Sequence, residues 1–334
     1  MALSRAVGLA FVMCLAGTMT TYAQTAAVEM QQSIGASTES IAAAGTQGRV
    51  FGEAIPGLHF LVEGAWGTRS EDVSDVFGTA YPYSGEVDII EAYGEYQAPP
   101  SRGVMSIKAG RYRTPFGIYS ASDHAYLGFL RAPLIRYGEY YALSSGYLEH
   151  GADIVVGVPR ASVEVSVGRP ADVGDAIRRT GVDTVVRAQA VAGAFVVGAS
   201  FIDTTPYMPE RFAAGRARFG GVDVRWLKDG VQLRGEWLGG RPFDGTQTTG
   251  GYVDVIVHRP VMGPVTALGR VERLDYDSDP QFALATQRYW AGARIRFWKG
   301  LATSFGVGHQ TGQMTQSRRT AFDVGLTLAL RAGL

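Results

Sequence analysis

The sequence predicts an all-β fold, a transmembrane antiparallel up-and-down β-barrel with a long loop folded into its lumen. Three observations carry this prediction. Polar and apolar residues alternate with period two along most of the chain. The connections between the alternating segments are short and long in turn, as in outer-membrane barrels. The apolar face is rich in Gly, Ala and Val and has aromatics near segment ends, which suits a lipid-facing wall better than a packed core.

A cleaved secretory signal is predicted at residues 1–23. Arg5 precedes the apolar run Ala6–Gly17, which has the length of a signal core and is too short to span a bilayer. Small residues occupy the −3 and −1 positions of a cleavage site after Ala23. The single cysteine, Cys14, lies inside this segment, so the mature chain would have no thiol for disulfides, catalysis or metal binding. Export to the cell outer membrane is therefore expected.

The next segment, residues 24–47, is rich in Ala, Ser, Thr and Gln and has no clear strand pattern. We predict a periplasmic leader here, either a short helix or a plug-like tail. The barrel is then expected to occupy residues 48–334.

The last segment shows the alternation best, since Phe322, Val324 and Leu326 point one way while Asp323 and Thr327 point the other. Counting back from it gives about 14 strands, with 16 as the alternative. An even number places both chain ends on the side of the short turns. The predicted strands lie near residues 57–68, 84–97, 102–112, 150–158, 161–168, 182–191, 194–203, 217–227, 231–239, 251–259, 264–274, 287–298, 301–310 and 320–334.

A soluble secreted β-sandwich or a multi-sheet solenoid would also alternate, with its apolar face turned to a core. The heavily charged second face of nearly every strand favours the barrel, because that face suits a wet lumen.

One segment, Thr114–His150, is much longer than its neighbours and lacks alternation. Long loops of this kind are usually functional or disordered, and its many Tyr residues indicate order. We expect a constriction loop folded into the lumen. The alternatives are an outer loop that caps the mouth, or a further pair of strands that makes 16.

The run Ser106–Gly117, with the sequence SIKAGRYRTPFG, resembles the strand-and-exit motif of the phosphate-selective porin O/P-like family. Residues Phe129–Pro133, Glu149–Asp153 and Arg270–Tyr276 are similar to other parts of the same porins. The resemblance implies a sixteen-stranded, homotrimeric outer-membrane porin whose loop enters the channel. Several members have Lys-rich anion sites, and this chain has only three Lys, so the resemblance does not imply anion selectivity here.

The predicted function is passive diffusion of small hydrophilic solutes or ions through the outer membrane. Charges near the long loop are the candidates for the pore constriction: Lys108, Arg111, Arg113, Asp123, Arg131, Arg136, Glu139 and Glu149. Further charges are candidates for the lumen lining: Arg225, Arg234, Arg270, Glu272, Arg288, Arg294 and Arg296. Interleaved signs pair across strands, but Arg exceeds acid in the final third, which predicts a weak anion preference.

Catalysis finds little support in the sequence. The five His residues are scattered, no Ser has the surroundings of a nucleophile, and no His pair has metal spacing. We therefore expect no enzyme, no cofactor and no metal. The balance of 31 basic and 31 acidic residues gives no indication of nucleic-acid binding. A plugged outer-membrane barrel with a binding or adhesion role is the remaining alternative.

Overall fold

The computed structural model describes residues 25–38, 40–67, 87–99, 103–118, 129–136, 147–171, 179–206, 216–241, 247–258, 262–277, 284–312 and 319–333. Within these ranges, no helix has the length and apolar character needed to cross a membrane.

The chain forms a closed antiparallel barrel in which each strand pairs with its neighbours in sequence and β16 pairs with β1. The barrel is all-β and has 16 strands, the number given above as the alternative. They are β1 (Thr25–Ser37), β2 (Ser40–Ile55), β3 (Leu58–Gly67), β4 (Val87–Gln97), β5 (Val104–Arg113), β6 (Leu148–Val158), β7 (Ala161–Pro170), β8 (Arg179–Ala192), β9 (Phe195–Pro206), β10 (Ala217–Lys228), β11 (Val231–Arg241), β12 (Gln247–Val257), β13 (Val265–Asp277), β14 (Leu284–Trp298), β15 (Leu301–Gly312) and β16 (Arg319–Gly333).

Tight turns join the strands at one end of the barrel. The turn between β10 and β11 consists of Asp229 and Gly230, whose φ angles of 51° and 75° are those of a type I′ hairpin turn. This turn matches the right-handed twist of the two strands, and Gly adopts it without steric penalty. Thr25 and Gly333 lie at the same end as these turns, as the even strand number predicts.

The first two strands lie where a periplasmic leader was predicted, and that prediction is wrong for the described residues of the segment. β1 (residues 25–37) and the first half of β2 (residues 40–47) lie in this segment and close the barrel. Their alternation is weak because both faces carry small or uncharged residues, as in Gln31, Gln32 and Ser33. The fourteen predicted strands correspond to β3–β16. The additional pair therefore comes from the N-terminus and not from residues 114–150. The signal predicted at residues 1–23 lies outside the described residues.

The two faces of the barrel wall differ as the alternation predicts. On β16, Val324, Leu326 and Leu330 are 50%, 45% and 46% exposed on the outer wall, while Asp323 is buried inside. Aromatic side chains lie exposed on the outer wall of several strands, among them Tyr96, Phe201, Trp237, Phe297 and Trp298. This apolar outer wall matches a surface that contacts lipid.

Leu326 is at the centre of the 15-residue strand β16, which places it near the bilayer midplane if the barrel spans a membrane. We expect Leu326→Arg to lower the free energy of unfolding in lipid vesicles by about 2–4 kcal/mol. The neighbouring Thr327→Arg is the matched control, because Thr327 faces the polar interior and should tolerate the charge. Equal stabilities of the two variants in a urea titration would contradict the assignment of the faces.

Candidate functional site

The inner face of the barrel carries a network of ion pairs between strands that are adjacent or one strand apart. Arg187 contacts Asp223 through two hydrogen bonds of 2.7 and 3.0 Å. Asp254 lies between two guanidinium groups, with Arg234 Nε at 2.7 Å and Arg270 Nε at 2.6 Å. These charges lie on β8 and β10–β13 and are almost fully buried. Opposite charges on facing strands stabilise one another, which explains why so many polar groups can line one wall.

The residues between β5 and β6, 114–147, are called the lumen loop here, and their described part enters the barrel. Thr114–Ile118 leaves the end of β5 and turns inward, and the Gly117 amide donates to Ser200 Oγ on β9 at 3.1 Å. Gly117 has a φ of 63°, and a Cβ at this position would overlap the Glu236 carboxylate. Only glycine therefore fits where the loop passes over β11.

A second part of the lumen loop, Phe129–Arg136, ends in a short 3₁₀ turn at Leu134–Arg136. Arg131 makes a bidentate ion pair with Asp323 on β16, at 2.6 and 2.7 Å. Arg136 pairs with Glu236 on β11, and both side chains are fully buried. Buried arginine–carboxylate pairs are strong and directional, so these two fix the loop at two distant points of the wall.

Three further hydrogen bonds hold the backbone of the same segment. The Leu134 amide donates to Glu272 Oε2 at 2.6 Å. Arg270 Nη1 donates to the Arg131 carbonyl at 2.7 Å, and Arg288 Nη2 donates to the Ala132 carbonyl at 2.6 Å. The wall arginines thus donate hydrogen bonds to loop carbonyls that would otherwise need water as their donor.

Apolar packing supports the same attachment. Phe116, Leu134 and Ile135 of the lumen loop are 0% exposed. They belong to one cluster with inward side chains of β8–β13: Val185, Ile202, Ala217, Phe219, Leu238, Tyr252 and Leu274. The Arg270 guanidinium carbon is 4.2 Å from the centre of the Phe129 ring, and Phe129 also packs against the Trp290 ring. The described loop therefore docks on the β8–β14 side of the interior and reaches β16.

The wall formed by β3–β7 carries a second group of charges. Lys108 Nζ is 3.8 Å from Asp153 and 4.0 Å from Glu164. Arg113 contacts both Glu63 and Glu91, at 2.5 and 2.9 Å. Each of these two clusters, one around Lys108 and one around Arg113, has two acidic side chains and one basic one. Glu149 is buried nearby and accepts a hydrogen bond from Ser166 Oγ at 2.5 Å.

Near the turn end, the interior opens into a cavity of about 560 Å³. It is lined in part by Phe51, Glu53, His59, Tyr93 and Arg331. Charges of both signs therefore line the mouth at this end of the barrel.

The structure places most of the predicted site residues inside the barrel. Of the constriction candidates, Lys108, Arg113, Arg131, Arg136 and Glu149 are interior, and Asp123 and Glu139 lie outside the described residues. The lining candidates face inward from β10–β14: Arg225, Arg234, Arg270, Glu272, Arg288, Arg294 and Arg296.

The prediction that Arg111 belongs to the pore constriction is wrong, because Arg111 lies on the outer wall of the barrel. It follows Gly110 and precedes Tyr112, whose hydroxyl is 2.8 Å from the interior Ser166. Alternation along β5 then turns Arg111 outward, opposite His150 on β6.

Three of the lining residues have a role that the sequence did not predict, since Arg270, Glu272 and Arg288 bind the backbone of the lumen loop. The lining prediction also missed Ser200, Glu236 and Asp323 as loop partners. The only signal in the sequence was the excess of charged residues at inward positions.

Two arginines near the turn end of β14 have different surroundings. Arg294 lies directly opposite Thr266 and Ser304, and Arg296 lies directly opposite Ala302. In the described ranges, no group of three or more His, Cys, Asp or Glu is arranged to hold a metal ion.

No protein-family model matches the chain, and no curated protein matches its sequence. Solved structures with similar folds include OmpF of Salmonella typhi in complex with daunomycin, with a TM-score of 0.63 and 13% identity over 91% of this chain and 97% of that one. An anion-selective porin from Comamonas acidovorans has a TM-score of 0.62 and 9% identity over 93% of this chain and 99% of that one. The outer-membrane OmpT of Vibrio cholerae has a TM-score of 0.60 and 10% identity over 91% of this chain and 97% of that one. These likenesses show a porin-like barrel fold.

Proposed function

We propose that this chain is an outer-membrane porin through which small hydrophilic solutes or ions diffuse passively. The lumen loop is the observation that carries the proposal, because ion pairs and backbone hydrogen bonds hold it inside a sixteen-stranded barrel. Barrels of this size leave an aqueous channel, and an inserted loop reduces its width. The fold shared with porins supports the same function.

The site chemistry is that of a selective passage and not of a reaction, and we propose no enzymatic activity and no cofactor. Many of the described interior arginines and carboxylates pair with one another or bind the loop backbone. Such groups orient a wall and set its electrostatic potential. Membership of the phosphate-selective porin O/P-like family remains a prediction that rests on the motif at Ser106–Gly117, and it implies no phosphate selectivity for this chain, which has only three Lys.

Single-channel recording in planar bilayers tests the proposal. Purified, heat-modifiable barrel should give stepwise current increases whose conductance rises in proportion to the KCl concentration. Liposomes that contain the protein should swell in small sugars and not in large ones. A correctly folded barrel without conductance or swelling would overturn the proposal and favour the plugged barrel with a binding role.

We also propose a homotrimer, as the resemblance implies. The Vibrio cholerae OmpT is described in a trimer form, which supports this assembly for a barrel of the same fold. Mass measurement of the protein in detergent by light scattering tests it, and a monomer under all extraction conditions would contradict it.

The weak anion preference is proposed to come from the turn-end half of the lumen. Three arginines face inward there: Arg294 and Arg296 lie directly opposite Thr, Ser and Ala side chains, and Arg225 donates to the Gln189 side-chain oxygen. The facing walls carry acids, among them Glu53 and Glu164, so cancellation should keep the preference weak.

We expect the double variant Arg294→Gln/Arg296→Gln to shift the reversal potential in a salt gradient towards cation preference. The anion-to-cation permeability ratio should fall by about fivefold or more, because each of the two charges removed contributes about 1 kcal/mol at 4 Å in water. Arg273→Gln is the control, since Arg273 lies on the outer wall and pairs with Asp275. An unchanged reversal potential in the double variant would remove β14 from the permeation path.

A further inference from the structure

The ammonium group of Lys108 lies among two aromatic rings and two carboxylates on the inner face of β4–β7, in a group called the Lys108 cage here. Lys108 Nζ is 5.5 Å from the centre of the Tyr93 ring and 5.0 Å from the centre of the Tyr112 ring. The carboxylates of Asp153 and Glu164 are 3.8 and 4.0 Å from the same nitrogen. Aromatic faces and carboxylate oxygens are the groups that bind an ammonium ion.

Lys108 occupies this cage without close contact to its carboxylates. Both Nζ–oxygen distances exceed the range of an N–H···O hydrogen bond, which ends at about 3.2 Å. Asp153 is fully buried, and neither of its carboxylate oxygens has a hydrogen-bond partner in the part of the chain that the structure describes. The like charges of Glu164 and Glu149 also act on it. A buried carboxylate in such surroundings is stabilised by a cation that donates hydrogen bonds to it directly.

The walls of the Lys108 cage are held by contacts that do not involve Lys108. The Tyr112 hydroxyl is 2.8 Å from Ser166 Oγ, and Ser166 Oγ donates to Glu149 at 2.5 Å. Asp153 lies directly opposite Ser166 in the β6–β7 pairing. The ring and the carboxylate are therefore positioned by the barrel wall, so the cage is preorganised for a cation from another source.

The cage is open towards the lumen. The side chains of Lys108 and Glu164 are 17% and 22% exposed, and Tyr93 also lines the turn-end cavity. The described part of the lumen loop docks on other strands, β8–β14 and β16. A solute in the lumen therefore reaches the cage, and the flexible four-carbon stem of Lys108 allows its ammonium group to move out.

We propose that the Lys108 cage is a binding site for solutes that carry a primary ammonium group, and that Lys108 fills it as a tethered competitor when no such solute is bound. A free alkylammonium has three N–H donors and no link to β5, so it approaches the carboxylates to about 2.8 Å while its charge lies between the two rings. The inference rests on the proposed pore function, because a solute reaches the cage through the lumen. The preference for small ions depends on the charges of all walls and is a separate property.

Isothermal titration calorimetry of the full chain in a neutral detergent tests the site, with n-propylammonium chloride as the probe at constant ionic strength. We expect Lys108→Met to bind the probe at least about tenfold more tightly than the wild type does, because the wild-type cage is competent only while Lys108 is outside it. Adding Asp153→Asn to Lys108→Met should abolish this gain, since the buried carboxylate is then neutral. Lys299→Met, in the exposed turn between β14 and β15, is the matched control and should bind as the wild type does.

No saturable binding to Lys108→Met, or equal affinities in Lys108→Met and the wild type, would overturn the proposal. Tetramethylammonium has no N–H donor, so tetramethylammonium binding as tight as that of the probe would also overturn it. Heat-dependent migration on a gel shows whether each variant has assembled, and Lys108→Gln replaces Lys108→Met, with the same outcomes, if the latter has not. Because calorimetry requires no current, a barrel that conducts but binds no probe refutes this inference and leaves the pore intact, whereas a barrel that binds the probe without conducting refutes the pore.

Discussion

Deletion of Ser120–Leu143 should raise the single-channel conductance about twofold or more, since a sixteen-stranded barrel without an internal loop leaves an open aqueous channel. The deletion removes Phe129–Arg136 and with it every described contact of that segment to β11, β13, β14 and β16. The Thr114 amide donates to the Tyr147 carbonyl at 3.2 Å, so the base of the lumen loop is held together outside the deletion, and a Gly-Ser linker can replace the deleted residues.

The charge of the deleted segment makes the result easier to interpret. It contains Arg131 and Arg136 and also Asp123 and Glu139, so its net charge is 2 − 2 = 0 with His124 neutral. An increase in conductance then reports the space that the loop occupied and not a change in net charge. Heat-dependent migration on a gel shows whether the barrel has assembled. Unchanged conductance in an assembled barrel would place the loop outside the permeation path.

Much of the fold could be predicted from the sequence because a barrel strand has two chemically different faces. Where one face is apolar and the other charged, as in β13 and β16, strand positions follow from alternation alone. In β1 the contrast is weak, since Gln32 faces outward between Met30 and Ile34, and the inward face has the uncharged Gln31 and Ser33 beside a single acid, Glu29. The pairing of β1 with β16 results from closure of the barrel, and it could not be predicted from the residues of β1 alone.

The site was predicted less completely because its contacts join residues that are distant in the chain. Arg131 and Asp323 are 192 positions apart, and no local pattern relates them. The apolar patch on the inner face of β8–β13 was also missed. Its residues, such as Phe219 and Leu238, stand near charged neighbours and do not form a continuous run.

The wrong prediction for Arg111 has a different cause, since the alternation along β5 already indicated that this side chain faces outward. In the segment that resembles the porin motif, Lys108, Gly110 and Tyr112 share one face of β5, and Arg111 belongs to the other. Alternation decides where Arg111 points, whereas Arg113 at the end of β5 departs from it and reaches Glu63 and Glu91 inside the barrel.

The ion pair between Arg136 and Glu236 should determine how firmly the lumen loop is held. Both side chains are at most 1% exposed, and Arg136 also donates to the Phe116 carbonyl at 3.1 Å. Removing one partner of a buried pair leaves the other charge without compensation, which destabilises by about 3–5 kcal/mol. The Tyr252 hydroxyl, 3.2 Å from Glu236, remains as a neutral donor and cannot replace the guanidinium.

Leu134→Cys provides a probe, because Leu134 belongs to the docked loop, is 0% exposed where the loop packs on the wall, and becomes accessible to a thiol reagent only after the loop detaches. With Cys14 changed to Ala, Arg136→Met should accelerate labelling by on the order of 10²-fold or more, since about 1.4 kcal/mol corresponds to a factor of ten. Replacing both partners, Arg136→Met/Glu236→Leu, should restore slow labelling to within about tenfold of the parent, because no buried charge is then left alone. The exposed pair of Arg216 and Asp203 is the control, and Arg216→Met should change the labelling rate little. Equal rates in the parent and in Arg136→Met would mean that apolar packing and the remaining hydrogen bonds hold the loop without this ion pair.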